Sequence, residues 1–280
     1  IGIVGDAGKV ATDIFSQLSE TAGDTNREAR KVNIAETKSK WAQQLSSMDH
    51  EDDDPGTTWN QRARADKPDW MSPRMAWRAI QAALPRNAII SSDIGNNCAI
   101  GNAYPSFEEG RKYLAPGLFG PCGYGLPSVV GAKIGCPEVP VVGFSGDGAF
   151  GIAVNELTAI GRGDWPAITQ IVFRNYQWGA EKRNTTLWYQ DNFVGTELNY
   201  EVSYAGIAEA CNLKGVVART MDDLTAALNQ AIKDQMENGI TTLIEAMINQ
   251  ELGEPFRRDA MTAPVAVAGI DAEDMRTQQV

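Results

Sequence analysis

Two polar residues, Asp147 and Asn175, have the types and the spacing that a metal–diphosphate site requires. Asp147 lies in the segment 146–148, Gly-Asp-Gly, directly after the apolar run 139–144, and Asn175 closes a second apolar run, 168–174. Because 26 residues separate this segment from Asn175, a β-turn-α-β unit would return the chain to the same sheet edge and make the pair neighbours. A carboxylate and an amide oxygen beside glycine-freed backbone N–H groups suit a hard divalent cation that carries a diphosphate.

The elements that would position this pair alternate between helix and strand from residue 72 onward. This alternation predicts an α/β fold, a doubly wound parallel sheet with helices on both faces. Ligands bind such sheets at the carboxyl ends of the strands. Three loops rich in Gly, Asn and Asp follow predicted strands, at 93–97, 145–148 and 175–178. The predicted strands are 88–92, 139–145, 168–174, 215–219 and 241–246, and the predicted helices are 73–84, 126–134, 149–162, 203–211 and 221–237.

The composition bounds the classes of protein to which this chain can belong. With 280 residues, 43% of them apolar, it can build one core of ordinary size. The net charge of −11 disfavours a nucleic-acid surface, and no apolar run approaches the roughly 18 residues that span a bilayer. The four cysteines, at 98, 122, 136 and 211, lack zinc-like spacing and indicate reduced thiols in a cytoplasmic protein.

A glycine-rich segment at 120–127, Gly-Pro-Cys-Gly-Tyr-Gly-Leu-Pro, precedes the Gly-Asp-Gly segment and its Asn. Together these motifs resemble the thiamine diphosphate-dependent enzymes of the acetolactate synthase and pyruvate oxidase group. The resemblance implies thiamine diphosphate and Mg²⁺ as cofactors, with Asp147, Asn175 and the backbone carbonyl of Gln177 as metal ligands. The residues that it implies in cofactor binding are Asn96, Asn97, Gly120, Cys122, Gly146, Asp147, Gly148, Ala149, Asn175 and Gln177.

Cys122 departs from the pattern of the group. Relatives usually place a large apolar side chain in this slot, where it holds the cofactor in a bent conformation, and a cysteine is smaller. Either another side chain supports the bend or the local match to the group is shifted.

Four longer strings, 91–98, 118–124, 174–184 and 250–260, narrow the resemblance to the sulfoacetaldehyde acetyltransferases of this group. The implied reaction converts sulfoacetaldehyde and inorganic phosphate to acetyl phosphate and sulfite. Because both substrates are anions, cationic residues near the cofactor loop become candidate substrate contacts, and these are Arg174, Lys182 and Arg183. The open alternatives are an acetolactate synthase-like carboligase, a 2-oxo acid decarboxylase, or a non-catalytic homologue that binds the cofactor.

The resemblance also predicts the domain organisation. Residues 1–48 match the C-terminal end of the group's middle α/β domain, 49–69 form an acidic linker, 70–250 form the thiamine diphosphate domain, and 251–280 form a tail. Members of the group activate the cofactor with a Glu from an N-terminal domain across a subunit interface. We therefore expect that Glu outside this chain, an inactive fragment on its own, and a homodimer or homotetramer with active sites at the interface.

Overall fold

The computed structural model describes residues 5–18, 25–48, 62–63, 66, 69–107, 110, 112–189 and 191–252. The chain divides into two compact units, Ile1–Asp54 and Pro55–Val280. In the first unit, helix α1 spans Ala7–Leu18 and helix α2 spans Thr25–Met48. Most of the predicted linker and the predicted tail after residue 252 lie outside the described residues.

The second unit is built on a six-stranded sheet in the order β2-β1-β3-β4-β6-β5, in which every strand pair is parallel. This arrangement confirms the predicted α/β fold with a parallel sheet. The strands are β1 Ile89–Ser92, β2 Tyr113–Leu114, β3 Val141–Gly146, β4 Thr169–Arg174, β5 Lys214–Ala218 and β6 Thr242–Met247.

Helices connect these strands and cover both faces of the sheet. They are α3 Pro73–Ala83, α4 Asn96–Gly101, α5 Gly125–Gly135, α6 Asp147–Ala153, α7 Leu157–Ile160, α8 Gly179–Trp188, α9 Tyr204–Ala210 and α10 Met221–Lys233. Within the described residues, no helix is long and apolar enough to span a membrane.

The buried side chains of the sheet alternate between two apolar layers. On one face, Val172 packs in a cluster with Leu126 of α5 and Phe150 of α6. On the other face, the Trp77 indole of α3 lies 4.8 Å from the ring of Phe144 and 5.4 Å from that of Phe173, centroid to centroid. Because successive strand residues point to opposite faces, both layers follow from the nearly continuous apolar runs in β3 and β4.

Capping residues fix several helix starts. Ser72 caps α3 by accepting a hydrogen bond from Met75 N, and a proline follows at the first helical position. Thr220 and Asp223 form a reciprocal capping box at the start of α10.

Two predicted helices differ from the structure. The helix predicted at 149–162 is two short helices joined by a 3₁₀ turn at Val154–Glu156, where the Thr158 hydroxyl donates to the Asn155 carbonyl. The helix predicted to reach 237 ends at Lys233 and continues as a π turn, which Gly239 terminates with a φ of 65°.

Candidate functional site

The sheet register brings Asp147 and Asn175 together as their spacing predicted. Gly146 at the end of β3 pairs with Phe173 of β4, so the residues that follow these two strands are neighbours at one sheet edge. The backbone N–H of Asn175 donates to Asp147 Oδ2 at 3.1 Å. Asp147 begins α6, and its Oδ1 accepts a hydrogen bond from Gly148 N at 3.0 Å.

The Asp147 carboxylate is almost completely buried, with 1% of the residue exposed. Burial raises its pKa from 3.8 to about 6, and this effect outweighs the lowering effects of Arg174 and of the backbone N–H groups of Tyr176 and Gly148. The surrounding donors therefore leave the negative charge incompletely compensated. A bound cation at this carboxylate would supply the missing compensation.

The loop after β4 is held by its backbone. Tyr176 adopts a left-handed conformation with a φ of 61°, which costs about 1–2 kcal/mol for a residue with a side chain. Its N–H donates to Asp147 Oδ2 at 2.6 Å. An antiparallel bridge pairs Gln177 with Glu197. One hydrogen bond of this bridge is donated by Trp178 N, and the other is accepted by the Tyr176 carbonyl. The carbonyl of Gln177 takes no part in the bridge's hydrogen bonds.

Asp93 organises the glycine-rich loop that precedes α5. It is 2% exposed, and its two carboxylate oxygens accept hydrogen bonds from Gly123 N at 3.1 Å and Gly125 N at 2.8 Å. Gly120 and Gly123 have φ values of 63° and 85°, conformations that only glycine adopts without strain. The loop geometry therefore depends on a buried carboxylate to which the sequence analysis assigned no role, although its place directly after β1 is a usable signal.

The Asn96–Asn97 pair opens α4 beside the Gly-Asp-Gly segment. A Cβ atom on Gly146 would lie 3.1 Å from Asn97 Nδ2, so the pair approaches this segment closely. Asn96 Oδ1 and Gln177 Oε1 are buried and have no hydrogen-bond partner among the residues that the structure describes. Buried acceptors without a partner are unfavourable, so a bound group that donates hydrogen bonds fits this site.

Cys122, in the slot that usually carries a large apolar residue, is exposed. Its pKa is raised, first by partial desolvation and then by the carboxylates of Asp93 and Glu181. This shift disfavours the thiolate, which is the nucleophilic form of cysteine.

The three cationic residues that were candidate substrate contacts occupy different environments. Arg174 is 1% exposed and pairs with Asp147, with guanidinium and carboxylate 3.1 Å apart. Lys182 is fully buried, forms an ion pair with Glu197, and has its pKa lowered by burial. Arg183 is half-buried on α8. The burial and pairing of Arg174 and Lys182 argue against direct substrate contact, and the contact by Arg183 stays a prediction.

Residues distant in sequence complete the site, and the sequence analysis missed them. Gln250 donates from Nε2 to the Asn175 carbonyl at 3.0 Å, and its own carbonyl accepts a hydrogen bond from Gln177 Nε2 at 3.0 Å. The Tyr204 hydroxyl donates to the Asp147 carbonyl at 3.0 Å. The pairing of β4 with β6 explains why Gln250, which follows β6, reaches this loop although β5 lies between the two strands in the chain.

The available oxygen donors fit a metal that also binds a diphosphate. In the part of the chain that the structure describes, no group of three or more His, Cys, Asp or Glu residues is arranged to hold a metal. Asp147 is thus the one carboxylate among the predicted ligands, beside an amide oxygen and a backbone carbonyl. A hard cation at such a sparse set would need further oxygens, which a diphosphate provides.

Comparison with known proteins identifies the family. Residues 93–246, more than half of the chain, match the family described as "Thiamine pyrophosphate enzyme, C-terminal TPP binding domain". The chain belongs to this family. The match includes the three loops at 93–97, 145–148 and 175–178, and it confirms the predicted fold and the thiamine diphosphate cofactor.

Individual relatives narrow the similarity. The chain is 82% identical over 280 residues to a sulfoacetaldehyde acetyltransferase of Roseovarius nubinhibens, covering 100% of this chain and 46% of the relative. It is 75% identical over 278 residues to the sulfoacetaldehyde acetyltransferase of Rhodobacter capsulatus, covering 99% of this chain and 47% of that protein. The chain thus spans about half the length of the curated relatives it matches.

A solved structure is similar to the fold. It is the thiamine diphosphate-dependent 4-hydroxybenzoylformate decarboxylase of Rhodococcus jostii RHA1, with a TM-score of 0.59 and 22% sequence identity. The superposition covers 66% of this chain and 34% of the decarboxylase. At this identity the likeness supports the fold alone.

Proposed function

We propose that the complete protein containing this chain is a Mg²⁺- and thiamine diphosphate-dependent acetyltransferase. It converts sulfoacetaldehyde and inorganic phosphate to acetyl phosphate and sulfite. The observation that carries the reaction is the 82% identity, across all 280 residues, to a relative with the name sulfoacetaldehyde acetyltransferase. The site chemistry is consistent with this reaction because the chain belongs to a thiamine diphosphate-binding family.

In this proposal Asp147, Asn175 and the backbone carbonyl of Gln177 hold the Mg²⁺. The contact between Asn175 N and Asp147 Oδ2, the burial of the carboxylate and the Gln177 carbonyl left out of the strand bridge support this assignment. The pKa of Asp147, raised by burial to about 6, favours a cation at this oxygen pair near neutral pH.

The cofactor lies against the same sheet edge. Gly146, Gly148 and Ala149 offer the diphosphate a close backbone approach at the start of α6. Asn96 supplies a buried acceptor that has no partner within the described part of the chain, and the loop that contains Gly120 and Cys122 forms a further wall. When bound, thiamine diphosphate supplies the carbanion chemistry that amino-acid side chains cannot perform. The chain's own residues bind and orient it.

The proposed assembly is a homodimer or homotetramer whose partner contributes the activating Glu. Leu118 and Phe119, directly before Gly120, are almost completely exposed at 109% and 91%. Large exposed apolar side chains beside a functional loop are typical of surfaces that another chain covers. In the same proposal residues 1–48 are the end of the middle domain, 70–250 the cofactor domain, and the protein is cytoplasmic.

The reaction is tested in the complete natural polypeptide that contains these residues. With sulfoacetaldehyde and phosphate we expect sulfite release together with acetyl phosphate formation, dependent on added thiamine diphosphate and Mg²⁺. Acetolactate formation from pyruvate without sulfite release would instead identify a carboligase and contradict the proposal.

The metal assignment is tested with Asp147→Ala. This variant should lose Mg²⁺-dependent thiamine diphosphate binding in calorimetry, because the only carboxylate of the predicted ligand set is removed. Asp164→Ala is the matched control, since Asp164 is exposed and forms a surface ion pair with Arg162 at 3.2 Å. Equal cofactor binding by both variants would show that Asp147 does not hold the metal.

A further inference from the structure

Arg174 is the centre of a buried charge cluster. Its Nη1 donates to Asp147 Oδ2 at 3.1 Å, and its Nε lies 3.4 Å from Glu245 Oε1 in an ion pair. Its Nη2 donates to the carbonyls of Asn199 at 2.6 Å and Val202 at 2.9 Å. One guanidinium therefore joins the end of β3, strand β6 and the loop before α9.

Two aromatic rings enclose this guanidinium. Its Cζ lies 4.0 Å from the ring centroid of Tyr176 and 5.0 Å from that of Tyr204. Tyr176 belongs to the loop after β4, which carries the proposed metal ligands Asn175 and Gln177, and the Tyr204 hydroxyl donates to the Asp147 carbonyl. Each ring therefore contacts both the cation and an element of the site, which restricts the guanidinium to one position.

The sheet register explains why Arg174 reaches these partners. Val172 of β4 pairs with Glu245 of β6, and Arg174 lies two residues further along, so its side chain is on the same face as Glu245. Glu245 is itself fixed, because it accepts hydrogen bonds from Ser203 Oγ at 2.8 Å and Ala205 N at 3.2 Å at the start of α9.

The contacts of Asp147 are divided unequally between its two oxygens. Among the described residues, Oδ2 accepts hydrogen bonds from Arg174 Nη1, Asn175 N and Tyr176 N, whereas Oδ1 accepts one from Gly148 N. The three donors on Oδ2 fix the rotation of the carboxylate. Oδ1 is then the oxygen with remaining capacity for a metal.

We propose that Arg174 is a positioning residue, which holds Asp147 with Oδ1 available to the metal and does not contact substrate. This inference rests on the proposed metal role of Asp147. To reach a substrate anion, the Arg174 side chain would have to leave a site in which it is 1% exposed. Asp147 and Glu245 would then be two buried carboxylates without their shared cation, a strongly unfavourable state.

The charge balance of the cluster also favours this role. Arg174 offers one positive charge to two carboxylates, and all three residues are at most 3% exposed. One negative charge remains in excess, which favours a cation at Asp147. Arg174 and the metal therefore act on the same carboxylate together, one at each oxygen.

The test compares Arg174→Met and Arg174→Lys in the complete natural polypeptide, with Lys133→Met as control. Lys133 is also a buried cation, 3% exposed, but it donates to the Pro137 and Val139 carbonyls before β3, at the opposite end of the sheet. The Kd for Mg²⁺ with thiamine diphosphate present is measured by calorimetry, and KM values for sulfoacetaldehyde and phosphate are measured at saturating Mg²⁺. Thermal unfolding reports on the fold of each variant.

Arg174→Met should raise the Mg²⁺ Kd by about 10- to 100-fold, the usual effect of removing a residue that orients a metal ligand. Arg174→Lys should restore part of the affinity, because an ammonium supplies the charge without the planar fork, and it serves as the main variant if the Met variant does not fold. Lys133→Met should leave the Kd unchanged. In all three variants the KM values should match those of the unsubstituted protein.

An unchanged Mg²⁺ Kd in both Arg174 variants, with a raised KM for sulfoacetaldehyde or phosphate, would identify a substrate contact and overturn the inference alone. Failure of the unsubstituted protein to bind thiamine diphosphate with Mg²⁺ would overturn the proposed function itself. Binding of thiamine diphosphate and Mg²⁺ by the unsubstituted protein therefore distinguishes the two failures.

Discussion

Replacing Gly148 with Ala should displace the indole of Trp178 and, with it, the loop that carries Asn175. A Cβ atom on Gly148 would lie 2.7 Å from Cε3 and 2.9 Å from both Cδ2 and Cζ3 of the indole. Carbon atoms in contact are about 3.5–4.0 Å apart, so the ring would have to move by about 1 Å.

The backbone of Trp178 resists this movement. Its N–H donates to the Thr196 carbonyl at 2.8 Å, and its carbonyl accepts a hydrogen bond from Lys182 N at 3.0 Å. Overpacking of this kind costs about 1–3 kcal/mol, and the helical gain of Ala over Gly offsets about 0.5–1 kcal/mol of it. A net loss of about 1–2 kcal/mol corresponds to a fall in Tm of about 2–8 °C for a unit of this size.

Gly131→Ala is the matched control for this prediction. Gly131 lies within α5, is exposed, and has no atom within 4 Å of the added Cβ, so the substitution should stabilise the protein by about 0.5–1 kcal/mol. Thermal unfolding by circular dichroism and thiamine diphosphate binding by fluorescence are measured for both variants. If Gly148→Ala matched Gly131→Ala in Tm and in cofactor Kd, the packing argument would be refuted.

Three further predictions concern buried charges near the sheet edge. Burial raises the pKa of Asp147 from 3.8 to about 6, so the metal-free fold should lose stability as pH rises between these values. Mg²⁺ affinity should rise about tenfold per pH unit up to about pH 6 and then level off. A calorimetric Mg²⁺ affinity that does not change with pH would contradict this prediction. Arg74→Met breaks a buried ion pair with Glu251 at 3.1 Å and should lower the free energy of unfolding in urea by about 3–5 kcal/mol. Arg162→Met, at an exposed ion pair, should lower it by less than about 1 kcal/mol. Equal losses in the two variants would contradict a larger contribution from the buried pair. Asp93→Asn should lower the free energy of unfolding by about 1–3 kcal/mol and weaken cofactor binding, because an amide nitrogen then faces a backbone N–H of the glycine-rich loop. Unchanged unfolding and unchanged cofactor binding would show that Asp93 does not position this loop.

The parallel sheet was predictable because its strong signals are local. β3 and β4 are six-residue strands, almost entirely buried, and each contains a short apolar segment, while caps such as Ser72 mark the helix starts. Helix α8 was missed because its sequence, Gly-Ala-Glu-Lys-Arg-Asn-Thr-Thr-Leu-Trp, lacks an apolar stripe at helical spacing. Strand β2 was missed because it has two residues, too few for any periodic pattern.

Within the site, spacing along the chain predicted the contact between Asp147 and Asn175 but not the environment of Arg174. Strand parity alone places Arg174 on the same face as Val172. The presence of Glu245 beside it depends on β6 pairing with β4, although β5 comes between them in sequence. A buried ion pair between strands that are not consecutive leaves no short-range pattern in the sequence. For this reason Arg174, a cation near a cofactor motif, was predicted as a substrate contact.

The same long-range dependence determines the shape of the loop at Asn175. The Asn175 carbonyl accepts a hydrogen bond from Gln250. Glu251, which follows Gln250 in the chain, forms a buried ion pair with Arg74 at the start of α3. The left-handed conformation of Tyr176 is unfavourable by itself, so the loop keeps its form because the contacts from Asp147 and Gln250 act on it together. A metal site with a single carboxylate requires such support, because few ligands of its own are available to fix the geometry.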